Sequence, residues 1–253
     1  MKFQFGLIPG IIRDEMKADF WAAAKEVSEI GYECLEGGGA LLQGNLKENK
    51  KRLDDLGLRL SGIGVKRDKM TSDLDDYVEK AKLFGSEYLV LYWAPCETKE
   101  QVLENAKEFD AVGAKCKEAG LSFCYHNHEH EFKTTFDGER ALDILAANAP
   151  NISLQLDVAW VTFGGASPVD YIRKYQGRVP VIHLKDLESL SERGKFTSVG
   201  TGLVDITGSV KAARECGVKF VIVEQDKPRN LTGMESVRAS FLNVKEAGLL
   251  NDR

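Results

Sequence analysis

Histidine is scarce in this chain of 253 residues, and its placement is uneven. Three of the four histidines (His126, His128 and His130) fall within five residues, and the fourth is His183. Around them, four successive apolar runs finish on an imidazole or a carboxylate. YHNHEHEF carries His126, His128 and Glu131; LQLDVAW reaches Asp157; VIHLKD carries His183 and Lys185; VIVEQD reaches Glu224. Taken singly, a His or Asp at such a place ordinarily caps a helix or satisfies a backbone group. Four neighbouring runs ending this way point instead to convergence on one site. A His/Asp/His/Glu set supplies nitrogen and oxygen donors and no thiolate, which suits Zn²⁺, Mn²⁺, Co²⁺ or Fe²⁺ rather than Ca²⁺. Imidazole, with an ordinary pKa of roughly 6.5, also moves protons near neutrality. The chemistry implied is that of a divalent-metal site.

Groups so far apart in sequence meet only if the elements carrying them are arranged in order. Eight short runs rich in β-branched and aromatic residues read as strands: Lys2–Ile8, Tyr32–Glu36, Arg59–Val65, Tyr88–Trp93, Ser122–His126, Ser153–Asp157, Val179–Leu184 and Phe220–Glu224. Between them lie segments of helical period. Residues 17–30 place Phe20, Ala24, Val27 and Ile30 near one face; residues 98–119 place Val102, Ala106, Phe109, Val112 and Cys116; residues 138–147 carry Leu142, Ile144 and Leu145. Gly31, Gly57, Gly85, Gly120 and Gly217 each close a helical segment just before a strand. The strand ends recur roughly every 30 residues, the length of one β-α unit. The pattern predicts an α/β fold, a single-domain (β/α)8 TIM barrel spanning residues 1–253, whose chemistry sits at the C-terminal ends of the strands. An open doubly wound sheet would carry a GxGxxG turn after its first strand, and GLIPGIIRD is not one.

Composition narrows the function classes. With 34 Lys+Arg against 39 Asp+Glu the net charge is -5, which argues against a nucleic-acid partner. No apolar run approaches the ~18 residues of a membrane helix, and MKFQFGLIPGIIRDE lacks the features of a signal peptide. A cytoplasmic protein with no membrane partner is the expectation. The five cysteines form no CxxC pair and read as reduced, packed thiols.

Together YHNHEHEF, LQLDVAW, GRVPVIHLKD, VGTGLVD and FVIVEQD resemble the sugar phosphate isomerase/epimerase group of xylose isomerase-like TIM barrels, over almost the whole chain. The resemblance implies one divalent metal held at the last four strand ends by Asp157, His183, Glu224 and a group from the fifth strand. Well-known sugar epimerases of this superfamily have a glutamate there, paired with the last-strand glutamate as two opposed acid/base groups. This sequence has His126 at the matching place. His126 is taken as the fourth ligand and His128, on the same side by strand alternation, as a substrate contact or base. Glu131 is a substrate contact, able to replace either histidine if the strand bends. His130 is expected to be solvated.

A histidine in that place puts a symmetric two-glutamate epimerisation in doubt and leaves one-base chemistry. Glu224 or a histidine would take the proton alpha to a metal-polarised carbonyl, opening β-elimination, dehydration or aldose–ketose isomerisation. Lys185 could stabilise an enediolate or bind phosphate. Glu36 could bind sugar hydroxyls, and Trp93 could be a platform for a sugar face. Gly200 and Gly202 let backbone approach the rim; Arg178, at the opposite face, reads as structural. The partner expected is a small sugar or keto-sugar, and a homo-oligomer is compatible with the chain. Two alternatives stand beside this enzyme: a metal-containing sugar-binding barrel without catalysis, and an endonuclease-like phosphodiester hydrolase, which would need a larger ligand set.

Overall fold

All eight apolar runs become strands: β1 (Gln4–Leu7), β2 (Cys34–Gly37), β3 (Arg59–Gly64), β4 (Tyr88–Leu91), β5 (Ser122–His126), β6 (Ser153–Asp157), β7 (Val181–Leu184) and β8 (Phe220–Val223). The computed structural model describes residues 2–250, and in it these strands form one closed, all-parallel barrel in sequence order. β1 closes onto β8 with Gln4 beside Phe220. Several strands are shorter than their apolar runs, so Trp93 and Glu224 lie in the loops just beyond β4 and β8.

The helices that cover the barrel are α1 (Phe20–Ile30), α2 (Leu46–Asp55), α3 (Leu74–Phe84), α4 (Lys99–Glu118), α5 (Ala141–Asn148), α6 (Pro168–Lys174), α7 (Ile206–Cys216) and α8 (Gly233–Glu246). The helix expected over 17–30 is interrupted. A short helix, Arg13–Ala18, stops at Asp19, whose side chain accepts hydrogen bonds from Trp21 N and Ala22 N and so starts α1 afresh. Gly85 (φ 68) and Gly217 (φ 78) close α3 and α7 in the left-handed conformation that glycine adopts at least cost. Arg178 donates to the carbonyls of Ala146, Ala149 and Ile152, which fastens the start of β7 to the end of α5. No helix among the described residues is long and apolar enough to cross a membrane.

Both faces of a parallel barrel are buried, which is why its strands read as near-continuous apolar runs. The larger core lies between strands and helices; a smaller one inside the barrel contains Cys34, Tyr88, Val90, Cys124, Val181, Phe220 and Ile222. β3 contributes almost no side-chain volume to that interior. A Cβ on Gly62 would sit 2.0 Å from the Tyr88 ring, and one on Gly64 would sit 2.7 Å from the Tyr92 ring. These two glycines make the space in which the two tyrosines reach inward.

The β7–β8 connection is the longest and holds an element the periodicity did not foretell, a hairpin of Asp186–Leu187 with Phe196–Thr197. Its return is pinned by Asp186. The carboxylate accepts from Gly200 N (3.0 Å), Gly202 N (2.9 Å), Val204 N (3.1 Å) and Leu187 N (2.9 Å). Gly200 and Gly202 do bring backbone close, and the group they meet is this buried carboxylate.

Candidate active site

The C-terminal ends of β5 to β8 bring four donors together. One ligand atom each from His126, Asp157, His183 and Glu224 lies within 4.8 Å of the others, and the first three residues are buried. Strand register does much of this. Asp157 pairs with His183 across β6–β7, and His126 pairs with Gln155 across β5–β6. Asn127 Oδ1 accepts the Asp157 amide and Trp160 N donates to Asp157 Oδ1, which fixes that carboxylate at the head of the helix Val158–Phe163.

A hydrogen-bond chain runs beneath the four. His183 Nδ1 is 2.8 Å from Glu224 Oε2, and its Nε2 is 2.8 Å from Glu36 Oε1. Glu36 Oε2 accepts from Gln155 Nε2 at 2.8 Å, and Gln155 Oε1 meets His126 Nδ1 at 2.9 Å. Lys185, also buried, points its ammonium at Asp157 Oδ2 (3.2 Å), Glu224 Oε2 (3.1 Å) and Asp226 Oδ2 (3.0 Å).

Burial and charge act unevenly here. Burial, reinforced by the His183 charge, drives His126 well below the usual histidine range, which keeps it neutral and able to ligate. Burial likewise lowers His128 to about 4. Burial also works against a charge on His183, but Glu36 and Glu224 on either side outweigh it and raise the imidazole to about 10. Burial raises Asp157 to about 7 despite the Lys185 ammonium, whereas Lys185 and His183 overcome burial and hold Glu224 well below the carboxylate range. Asp157 Oδ2 is buried without an aligned hydrogen bond, the Lys185 contact being an ion pair only. Two imidazoles and two carboxylates at mutual ligand distance, one oxygen still lacking a hydrogen bond, fit a divalent ion of the zinc or manganese kind. The donor set therefore suits the metal that the resemblance implies.

Other expected site residues fall in different places. Glu36 is 1% exposed and accepts from the Tyr88 and Tyr92 hydroxyls as well as from Gln155 and His183. It therefore lies under the site and does not present itself to sugar hydroxyls. Glu131 turns inward beneath the loop after β5, where it accepts from the Tyr125 hydroxyl and from His128 N (2.8 Å). It anchors the His128 loop and replaces neither histidine. His130 is half-buried, with Nε2 3.1 Å from Ala94 O and 3.2 Å from Glu131 Oε1, not solvated. Trp93 is exposed, and its ring lies 6.0 Å from His130.

Among the hollows at this end of the barrel, two border expected site residues. The larger, about 620 Å³, lies over the loops after β1 and β2 and touches only Glu36 among the expected residues. The smaller, about 450 Å³, is lined by His128, Trp160, Arg193, Phe196, Asp226 and Lys227, so of the expected residues it borders His128. Trp93 lines neither; the aromatic wall beside the donors is Trp160, its ring 5.7 Å from His128 and 5.0 Å from Lys185 Nζ. Sequence reasoning passed over Gln155, Tyr88, Tyr92, Asp226 and Trp160. Gln155 left a signal: a polar residue in an apolar run, two before Asp157 and so on the same face. The tyrosines left none, because aromatic residues are ordinary in strands.

Residues 24–243 match the family model of the xylose isomerase-like TIM barrel. An inosose dehydratase 1 of Bacillus cereus (strain ZK / E33L) is 31% identical over 174 residues, covering 61% of this chain and 58% of that protein. The chain spans about half the length of the first curated relatives it matches. A sugar phosphate isomerase/epimerase from Parabacteroides distasonis has a similar structure, with a TM-score of 0.81 at 22% identity, covering 99% of this chain and 98% of that one. The zinc-bound IOLI protein gives 0.77 at 16% identity, covering 99% and 100%. At these identities the structural likeness speaks for the fold. The match across residues 24–243, on a closed eight-stranded barrel, places this chain in the xylose isomerase-like TIM barrel family.

Proposed function

We propose that this protein is a divalent-metal-dependent enzyme of the sugar isomerase, epimerase or dehydratase kind, working by proton abstraction next to a carbonyl of a sugar or keto-sugar. The observation that carries the reading is the convergence of His126, Asp157, His183 and Glu224 at the C-terminal rim. The inosose dehydratase relative supports the same chemistry. A divalent ion held by these four residues would polarise the substrate carbonyl and offset the negative charge developing on its oxygen.

The protein groups suit a one-base reaction. His128 Nδ1 is buried beside the donors without a hydrogen-bond partner, and burial keeps the ring neutral, so its lone pair is free for a proton. His126, at the place of the epimerases' strand-five glutamate, is bound to Gln155. Glu36 is saturated by four donors. Neither is a second, opposed base. In the dehydratase form of this reaction, His128 takes the proton alpha to the carbonyl and the C–H electron pair moves toward the carbonyl oxygen, while the buried Lys185 ammonium, held by Asp157, Glu224 and Asp226, adds positive charge nearby. Return of that pair forms the C=C bond and expels the hydroxyl on the next carbon, which leaves as water with the proton from His128. Trp160 and Phe196 wall the hollow beside His128.

The test is solvent-deuterium exchange followed by NMR over a panel of sugars and 3-keto sugars, with Mn²⁺ or Zn²⁺ supplied. Exchange at a carbon beside the carbonyl is expected, with its loss in His128→Gln while metal binding persists. Unchanged metal binding in both Asp157→Ala and Glu224→Ala would sink the reading.

A further inference from the structure

Glu36 and Gln155 take no part in the chemistry above, yet they form a buried polar chain at the floor of the site, 1% and 0% exposed. The direction of its hydrogen bonds can be worked out from what each group is able to donate. Glu36 Oε1 receives His183 Nε2 and the Tyr92 hydroxyl; Oε2 receives the Tyr88 hydroxyl and Gln155. Each oxygen serves two donors, so Glu36 acts only as an acceptor. Gln155 must then turn its NH₂ toward Glu36, leaving its carbonyl oxygen for His126. A carbonyl only accepts, so His126 carries its proton on Nδ1, 2.9 Å away, and its free lone pair is on Nε2. On the other branch, Glu36 holds the proton of His183 on Nε2. Nδ1 donates to Glu224 at 2.8 Å in the metal-free protein, and it is from this nitrogen that an ion would displace the proton.

We infer that Glu36 is a positioning residue that selects, through two branches of one hydrogen-bond chain, which nitrogen each histidine presents to the metal: Nε2 of His126 and Nδ1 of His183. This rests on the metal reading above. A carboxylate behind a ligating imidazole ordinarily serves one histidine; here a single buried carboxylate governs two, the second through an amide relay. The space for it comes from β3, where Gly62 and Gly64 admit the tyrosines that occupy the remaining lone pairs of Glu36.

The substitution Glu36→Gln is informative because an amide has one oxygen and one NH₂. If the NH₂ faces His183, that ring must accept at Nε2, and its proton moves to Nδ1. If the NH₂ faces Gln155, the relay reverses and His126 must accept at Nδ1, which puts a proton on Nε2. In either arrangement one histidine is left in the wrong tautomer, whereas Gln155→Leu releases His126 alone.

The experiment uses the full chain labelled with ¹⁵N-histidine and loaded with Zn²⁺ or ¹¹³Cd²⁺. Long-range ¹H–¹⁵N spectra of the cadmium form should show ¹¹³Cd coupling at His126 Nε2 and His183 Nδ1, and those of the zinc form the matching tautomers. Zinc affinity should fall about 10- to 100-fold in Glu36→Gln, with one imidazole losing its metal coupling, and Gln155→Leu should disturb His126 while leaving His183 unchanged. Should Glu36→Gln fail to fold, the Gln155→Leu spectrum decides. Metal bound through the opposite nitrogens, or both couplings and affinity retained in the folded Glu36→Gln protein, overturns the inference while leaving the metal site standing. Failure of the wild-type chain to bind either ion overturns the metal reading itself, and this inference with it.

Discussion

Glu131 offers a test of how burial and charge are balanced around the site. Its carboxyl is 1% exposed, and burial raises it from 4.5 to about 7, even with His130, the Tyr125 hydroxyl and the His128 amide favouring its charged form. In the unfolded chain the group ionises near 4.5. Between pH 4.5 and about 7 the folded protein therefore holds a proton that the unfolded chain has released, and stability must fall as pH rises through that window. One proton over that interval, at about 1.4 kcal/mol per pH unit, amounts to about 3 kcal/mol. Below pH 4.5 both states are protonated and the penalty vanishes; above about 7 it is complete. Glu131→Gln keeps the shape, with an oxygen for the His128 amide, and cannot ionise. Wild type and variant should be unfolded with urea across pH 4 to 8.5, with excess chelator in both so that metal binding adds no pH dependence. The variant should gain about 3 kcal/mol relative to wild type between the two ends of the series. Parallel pH profiles would show that Glu131 is already charged in the fold, and the reasoning would be wrong.

Two further outcomes follow from packing and charge. Gly62→Ala forces a methyl to within 2.0 Å of the Tyr88 ring, so stability should drop by about 1–3 kcal/mol in denaturant titrations, and zinc affinity should fall as Tyr88 leaves Glu36. Full stability in this variant would mean that Tyr88 is not confined as described. Lys185→Met removes the ammonium shared by Asp157, Glu224 and Asp226, leaving carboxylates without their cation. The metal-free protein should lose about 3–5 kcal/mol, and saturating Zn²⁺ should restore more stability to the variant than it adds to wild type. Equal protection of both in thermal melts would count against a shared role for the ammonium and the ion.

The barrel was legible in the sequence because its signals are local. Apolar runs recurring at a β-α period, helices closed by glycine and strand ends at Asp157, His183 and Glu224 follow from rules that act within a few residues. His126 was legible for the same reason: it closes an apolar run and shares an orientation with His128. Glu36 and Glu131 looked equally available, since each also stands at or beside a strand end. Their roles depend on partners distant in the chain, such as Gln155, 119 residues from Glu36, and tyrosines admitted by glycines on a neighbouring strand. Alternation says which side a residue faces; it does not say how deep the residue lies or what the opposite strand places against it. The sequence by itself thus determined the architecture and the donor types at the rim. Only the closed barrel decided which carboxylates reach the site and which serve beneath it, because hydrogen bonds and burial depend on three-dimensional neighbours that the local pattern does not encode.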